Sequence, residues 1–181
     1  MKGLIVYSKN MEDVEALATK ALLVRAGYHI DSMTFNPVKV LKTAYKQSIM
    51  ADYTFDEIDI NAYDFLVIPG GKYVSETIDK DYHINSLAKR FNSDNKYVCA
   101  ICAAPLFLGK AKLLDNIKYT AFPGTEKMIN QGHYLGHKKA VSDDLFITAR
   151  SAGAVYDFVY EIVKNLSNKD KADALFKSIY Y

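Results

Sequence analysis

The chain has 181 residues, half of them apolar, with 23 Lys and Arg against 21 Asp and Glu for a net charge of +2. That length suits one domain with a sizeable core, and the interspersed charges, with no basic block interleaved with aromatics, argue against a nucleic-acid partner. The apolar run at residues 1–7 is too short for a signal peptide, no stretch approaches the roughly 18 apolar residues of a membrane span, and two cysteines exclude a disulfide scaffold, so the expectation is a cytoplasmic protein with no membrane role.

Residues 2–7 read as a buried strand and residues 11–26 as a helix, its start capped by Asn10 and its end marked by Gly27. Strand character resumes over 28–35. After a less regular stretch at 36–61, the run at 64–68 is another buried strand, closed by Pro69-Gly70-Gly71. Residues 75–91 fit a helix and 97–101 a strand that breaks at Cys102. A short helix follows from 103 towards 112, then a strand near 118–121 and a hairpin over 140–148 turning at Asp143-Asp144. The last long helix runs over about 153–166. Continuous apolar strands separated by helices indicate an α/β fold with a mostly parallel sheet covered on both faces. The expected organisation is a single domain over 1–166 with a helical tail at 167–181. Ligands of such sheets sit beyond the carboxyl ends of the strands, here Ser8-Lys9-Asn10, Pro69-Gly70-Gly71 and Cys102.

Cys102 lies where the apolar strand Tyr97-Val98-Cys99-Ala100-Ile101 gives way to the small-residue turn Cys102-Ala103-Ala104-Pro105 and a helix. The free N–H groups and positive end of that helix are expected to favour the thiolate, which makes Cys102 a candidate nucleophile or oxidation sensor. At 100° per residue, Met11, Val14, Ala18, Ala21 and Leu22 form an apolar stripe on the first helix, and Glu15 falls inside it or at its edge. A carboxyl on a buried face has a raised pKa, so Glu15 is a candidate general acid and base or a hydrogen-bond donor to a thiolate; snorkelling to the rim or complementing the helix dipole are the alternatives.

Cys99-Ala100-Ile101-Cys102 is formally a Cys-x-x-Cys. Within a strand, however, three steps of about 3.3 Å separate the two by roughly 10 Å, beyond disulfide range, and no second pair completes a zinc site. Of the four histidines only His133 and His137 have a metal-like spacing, and a solvated loop pair explains them. No metal or cofactor is expected, and Cys99 reads as a small buried hydrophobe.

Ala100-Ile101-Cys102-Ala103-Ala104-Pro105, Val67-Ile68-Pro69-Gly70-Gly71, the segment Lys127 to Tyr134, and Ile147-Thr148-Ala149-Arg150-Ser151-Ala152-Gly153 together resemble the ThiJ/PfpI superfamily, over nearly the whole chain. The resemblance implies a three-layer, flavodoxin-like sandwich of the class I glutamine amidotransferase type. It implies Cys102 as the reactive elbow cysteine, Glu15 as its protonated partner, and the backbone N–H groups of Gly71 and Ala103 as the oxyanion hole. Gly70, Phe122, Tyr45 and Arg150 are expected at the rim, and a homodimer with the first helix near its interface.

Two positions depart from the family pattern. Protease-like members follow the elbow cysteine with a histidine, where this chain has Ala103, and deglycase-like members have a histidine before the proline of Phe122-Pro123. The resemblance therefore implies glyoxalase- or deglycase-like action on 2-oxoaldehydes or glycated protein, with Glu15 or water moving the proton. The alternative is a non-catalytic redox sensor oxidised at Cys102. A peptidase or amidase lacks its base.

Overall fold

The computed structural model describes residues 1–80 and 82–181. Its centre is a seven-stranded sheet. Its strands are β1 (Lys2–Val6), β2 (His29–Thr34), β5 (Tyr53–Thr54), β6 (Phe65–Ile68), β7 (Tyr97–Ile101), β10 (Ala140–Asp143) and β11 (Phe146–Ala149), in the spatial order β10-β11-β7-β6-β1-β2-β5. Every pairing is parallel except β10 with β11, the hairpin expected from Asp143-Asp144. Asp144 takes the left-handed conformation this turn needs.

Every residue of β6, and all but the first of β1 and β7, is buried. Because successive strand side chains point to opposite faces, such runs require a cover on both sides. One cover is α1 (Thr19–Arg25) with α5 (Val155–Leu166), which pack on each other and on β2, β10 and β11. The other is α3 (His83–Ser93), which packs on β6, β7 and α4 (Pro105–Lys110). Residues beyond 166 form α6 (Lys169–Ser178), capped by the Asn168 side chain; it lies on α5 and contributes Ala172, Leu175 and Phe176 to the same apolar cluster.

Several expectations need correction. The helix at 11–26 is not regular: Val14–Ala18 is a π-helical turn, and α1 proper starts at Thr19. The wider turn rephases the helix, so Val14 and Ala21 are exposed, and the buried face is Met11, Glu15, Ala16, Thr19 and Leu23. Asn10 does not cap it; with φ of 63° it turns its amide to Glu76 Oε2 at 2.9 Å. The helix at 75–91 is two, α2 (Tyr73–Thr77) and α3; residue 81, between them, lies outside the described residues. The irregular stretch holds a hairpin of β3 (Val40–Lys42) and β4 (Ser48–Met50) and supplies edge strand β5. The strand near 118 is β8 (Lys118–Tyr119), paired with β9 (His133–Tyr134) rather than with the central sheet.

Candidate active site

The sheet order makes β7, β6 and β1 neighbours. Their carboxyl ends therefore meet, and the three turns singled out in the sequence form one place. β7 stops at Ile101 because the chain reverses at Cys102 with φ of 65°, a left-handed conformation that costs a non-glycine residue about 1–3 kcal/mol. Three bonds over-determine the turn. Cys102 N–H donates to Ala149 O at 2.8 Å, Cys102 O accepts from Phe122 N–H at 2.7 Å, and Ala104 N–H donates to Ile101 O at 3.1 Å. Cys102 is partly exposed and Cys99 wholly buried; neither is in a disulfide.

Glu15 is 1% exposed. Its Oε2 accepts from Gly70 N–H at 2.9 Å, and its Oε1 is buried with no hydrogen-bond partner within bonding geometry. Gly70 separates the carboxyl from the cysteine. A Cβ there would lie 2.5 Å from both Cys102 Cβ and Glu15 Oε2, and 2.9 Å from Ile101 O. Glycine is thus required for Glu15 and Cys102 to close on the same piece of bare backbone. Gly71 has φ of 122°, and a Cβ on it would sit 2.4 Å from Glu12 N. No acceptor among the described residues takes the Gly71 N–H.

Burial is the main force on the Glu15 carboxyl and pushes it up from 4.5 to about 7; the Cys102 thiol partly offsets this, Glu12 adds to it, and the Gly70 and Ala152 N–H groups pull back. Burial also pushes the Cys102 thiol well above its ordinary range, reinforced by the neighbouring Glu15 carboxylate; the Ala103 N–H pulls the other way. The expectation that the turn favours the thiolate is corrected accordingly. One elbow N–H does act in that sense, but burial and the neighbouring carboxylate outweigh it. The pair is a proton-sharing couple in which an ionised Glu15 keeps the proton on sulfur and a neutral Glu15 removes that penalty.

Of the rim residues, Phe122 is tied to Cys102 through its backbone and has a half-exposed ring. Arg150 follows the Ala149 whose carbonyl holds the elbow. Tyr45 reaches the start of the π turn through its N–H, which donates to Asp13 Oδ2 at 3.2 Å, while its side chain is largely exposed. His133 and His137 are both exposed, and no cluster of three potential metal ligands occurs among the described residues. Sequence reasoning missed Glu12, Tyr73 and the Ala152 N–H. Glu12 stands three residues before Glu15, a spacing that puts two helical side chains together. Tyr73 is buried, donates to Pro69 O at 2.7 Å, and is pushed up by burial, Glu15 and Cys102, so it stays a neutral phenol; no signal marked it. A cavity of about 500 Å³ lies elsewhere, walled by Tyr156, Tyr160, Phe176 and Tyr181.

The chain is similar to protein dj-1beta of Drosophila melanogaster, with 25% identity over 178 residues, covering 98% of this chain and 95% of that one. It shares 30% identity over 168 residues with deglycase PH1704 of Pyrococcus horikoshii, covering 92% and 99%, and 25% over 178 residues with the glutathione-independent glyoxalase DJR-1.2 of Caenorhabditis elegans, covering 97% and 94%. Among solved structures, Drosophila melanogaster DJ-1beta superposes with a TM-score of 0.91 at 25% identity, covering 99% of this chain and 97% of that one. A mutant of the DJ-1 superfamily protein STM1931 from Salmonella typhimurium also gives 0.91, at 23% identity, covering 99% and 98%. Residues 1–165 match the DJ-1/PfpI family, a span that runs from β1 through the elbow into α5. The chain belongs to the DJ-1/PfpI family.

Proposed function

We propose that the protein is a cysteine-dependent enzyme of 2-oxoaldehyde chemistry, acting on methylglyoxal or its protein adducts with Cys102 as nucleophile and Glu15 as its proton carrier. The observation that carries this is a buried carboxyl with a pKa of about 7, separated from a strained elbow cysteine only by Gly70. Relatives named as deglycases and glyoxalases support the substrate class. Ionised Glu15 takes the thiol proton as sulfur adds to the aldehyde carbon, and the Gly71 and Ala103 N–H groups receive the oxyanion. Glu15 then returns a proton to that oxygen, removes the hydrogen from the former aldehyde carbon as a proton and redelivers it to the neighbouring carbon, while the hydroxyl proton on the former aldehyde carbon passes through water to the ketone oxygen. The aldehyde carbon is oxidised to a thioester and the ketone reduced to an alcohol. Water cleaves the thioester, so that methylglyoxal and one water yield lactate and free Cys102. Ala103 and Phe122 carry no imidazole, so no histidine is assigned to the proton path, and the peptidase reading is dropped.

The test is lactate release from methylglyoxal without glutathione. Wild type is expected to turn over and Cys102→Ser to fall to background; equal rates would overturn the assignment. A second reading, oxidation of Cys102 as a sensor, is favoured by one observation: the partly exposed thiol has no resolving cysteine, since Cys99 is buried. Mild peroxide should then add two oxygens at Cys102 before Cys99 or the methionines react, as read by intact mass and peptide mapping. Two free thiols also fit a reducing, cytoplasmic compartment. A homodimer is part of the proposal, supported by the exposed apolar side chains of Val14, Leu17 and Val24 on the first helical segment and of Val40 and Met50 on the β3–β4 hairpin.

A further inference from the structure

Glu12 is not part of the chemistry described above, yet it closes a ring of three hydrogen bonds around it. Glu12 N–H donates to Gly70 O at 2.9 Å, Gly70 N–H donates to Glu15 Oε2 at 2.9 Å, and Glu15 N–H donates to Glu12 Oε2 at 2.6 Å. Each residue donates once and accepts once. A second feature points the same way. Gly71 sits at φ of 122° with no room for a Cβ, which would be 2.4 Å from Glu12 N and 2.7 Å from Asn10 O. A glycine is thus placed where the Glu12 backbone must approach the loop after β6. The ring spans the amino end of the π turn, where N–H groups lack helical acceptors, and a carboxylate there satisfies one of them.

We propose that Glu12 is a positioning residue: its carboxylate fixes the π turn that aims Glu15 at Cys102, and its charge holds the Glu15 proton in place. This rests on the assignment of Cys102 and Glu15 as the reactive pair. The groups facing the Glu15 carboxyl are the Cys102 thiol from the elbow, the Tyr73 phenol from α2, the Gly70 and Ala152 N–H groups from their turns, and Glu12 on its own segment. Only Glu12 among them is a second carboxylate. Removing its charge therefore lets Glu15 ionise at lower pH, and lets Cys102 do the same, since Glu12 also disfavours the thiolate.

Two variants separate charge from geometry. Glu12→Gln keeps an oxygen that can accept the Glu15 N–H but removes the charge; Glu12→Ala removes both. The readout is the pH dependence of Cys102 carbamidomethylation by iodoacetamide, followed by mass spectrometry, with lactate release measured alongside. Glu12→Gln is expected to move the alkylation midpoint acidward by about half a pH unit or more while keeping most of the turnover. Glu12→Ala is expected to lose about tenfold or more in turnover while still melting cooperatively, with Glu12→Gln restoring most of that loss. An alkylation midpoint in Glu12→Gln equal to that of wild type would overturn the proposal, whatever the stability of Glu12→Ala. If wild type releases no lactate, the functional assignment fails, and the alkylation midpoint still decides the role of Glu12.

Discussion

Glu15, on the π turn, and Asp31, in strand β2 of the central sheet, are both buried carboxylates, and their surroundings push them in opposite directions. Burial works against ionisation at both. At Asp31 it is outweighed by the Lys2 ammonium at 2.8 Å, the Tyr63 hydroxyl at 2.9 Å and His29 Nε2 at 2.9 Å, so the carboxyl sits below its ordinary range. At Glu15 no cation is among the groups that act most strongly; the surroundings are two backbone N–H groups, a thiol and a second carboxylate, and the pKa rises to about 7. A carboxylate placed for stability is given a countercharge. One that is buried without it stores free energy in its ionised form and is suited to trading a proton near neutral pH. The elbow shows the same division: Cys99, inside β7, is buried and structural, while Cys102, one turn on, is strained and partly exposed.

The contrast is broken most severely by exchanging roles. Glu15→Ala should lower lactate release by about 10²-fold or more, the range for loss of a general acid–base group, whereas Asp31→Asn should leave turnover within about twofold. Equal losses in the two variants would erase the distinction. The next effect is on stability. Because the folded-state pKa of Glu15 lies above its ordinary 4.5, this group's favourable contribution is complete below about pH 4.5 and is lost as pH rises through about 7. Urea unfolding of Glu15→Gln at pH 8 should show it more stable than wild type by up to about 3 kcal/mol, a gain that vanishes near pH 4. Asp31 has the opposite sign: its contribution is present above the ordinary carboxylate range and is lost as pH falls through its lowered pKa. Gly70→Ala should cost about 1–3 kcal/mol from the collisions of its Cβ, read as a lower melting temperature, and should also displace Glu15 from Cys102 and change the pH dependence of alkylation. The smallest effect is expected for Tyr63→Phe, about 1–2 kcal/mol from one lost hydrogen bond to a charged group, with turnover intact.

Much of this was legible in the residues themselves. Continuous apolar runs marked β1, β6 and β7, Gly27 marked the end of α1, and Asp143-Asp144 marked the β10–β11 hairpin. The three carboxyl-end turns were recognisable one by one, but their meeting depends on the order β7-β6-β1, which long-range pairing decides and no local pattern encodes. Glu15 was found by a helical wheel whose other members were partly wrong. A π turn holds more residues per turn than the wheel assumes, so Val14 and Ala21 rotate to solvent while Glu15 turns fully inward. The short strands in residues 36–61 escaped notice because strands of two or three residues carry too few alternations to show a period. The thiolate expectation failed for a related reason: the sequence shows the elbow N–H groups, but the depth of burial and the carboxyl opposite exist only in the fold.

The central claim is that the fold holds Glu15 protonated into the neutral range so that it can exchange a proton with Cys102. A ¹³C NMR titration of the Glu15 side-chain carboxyl, assigned by its disappearance in Glu15→Gln, tests this directly. A midpoint near pH 7, moving when Cys102 is replaced by Ser, is the predicted result. A midpoint near 4.5 that ignores the Cys102 substitution would contradict it.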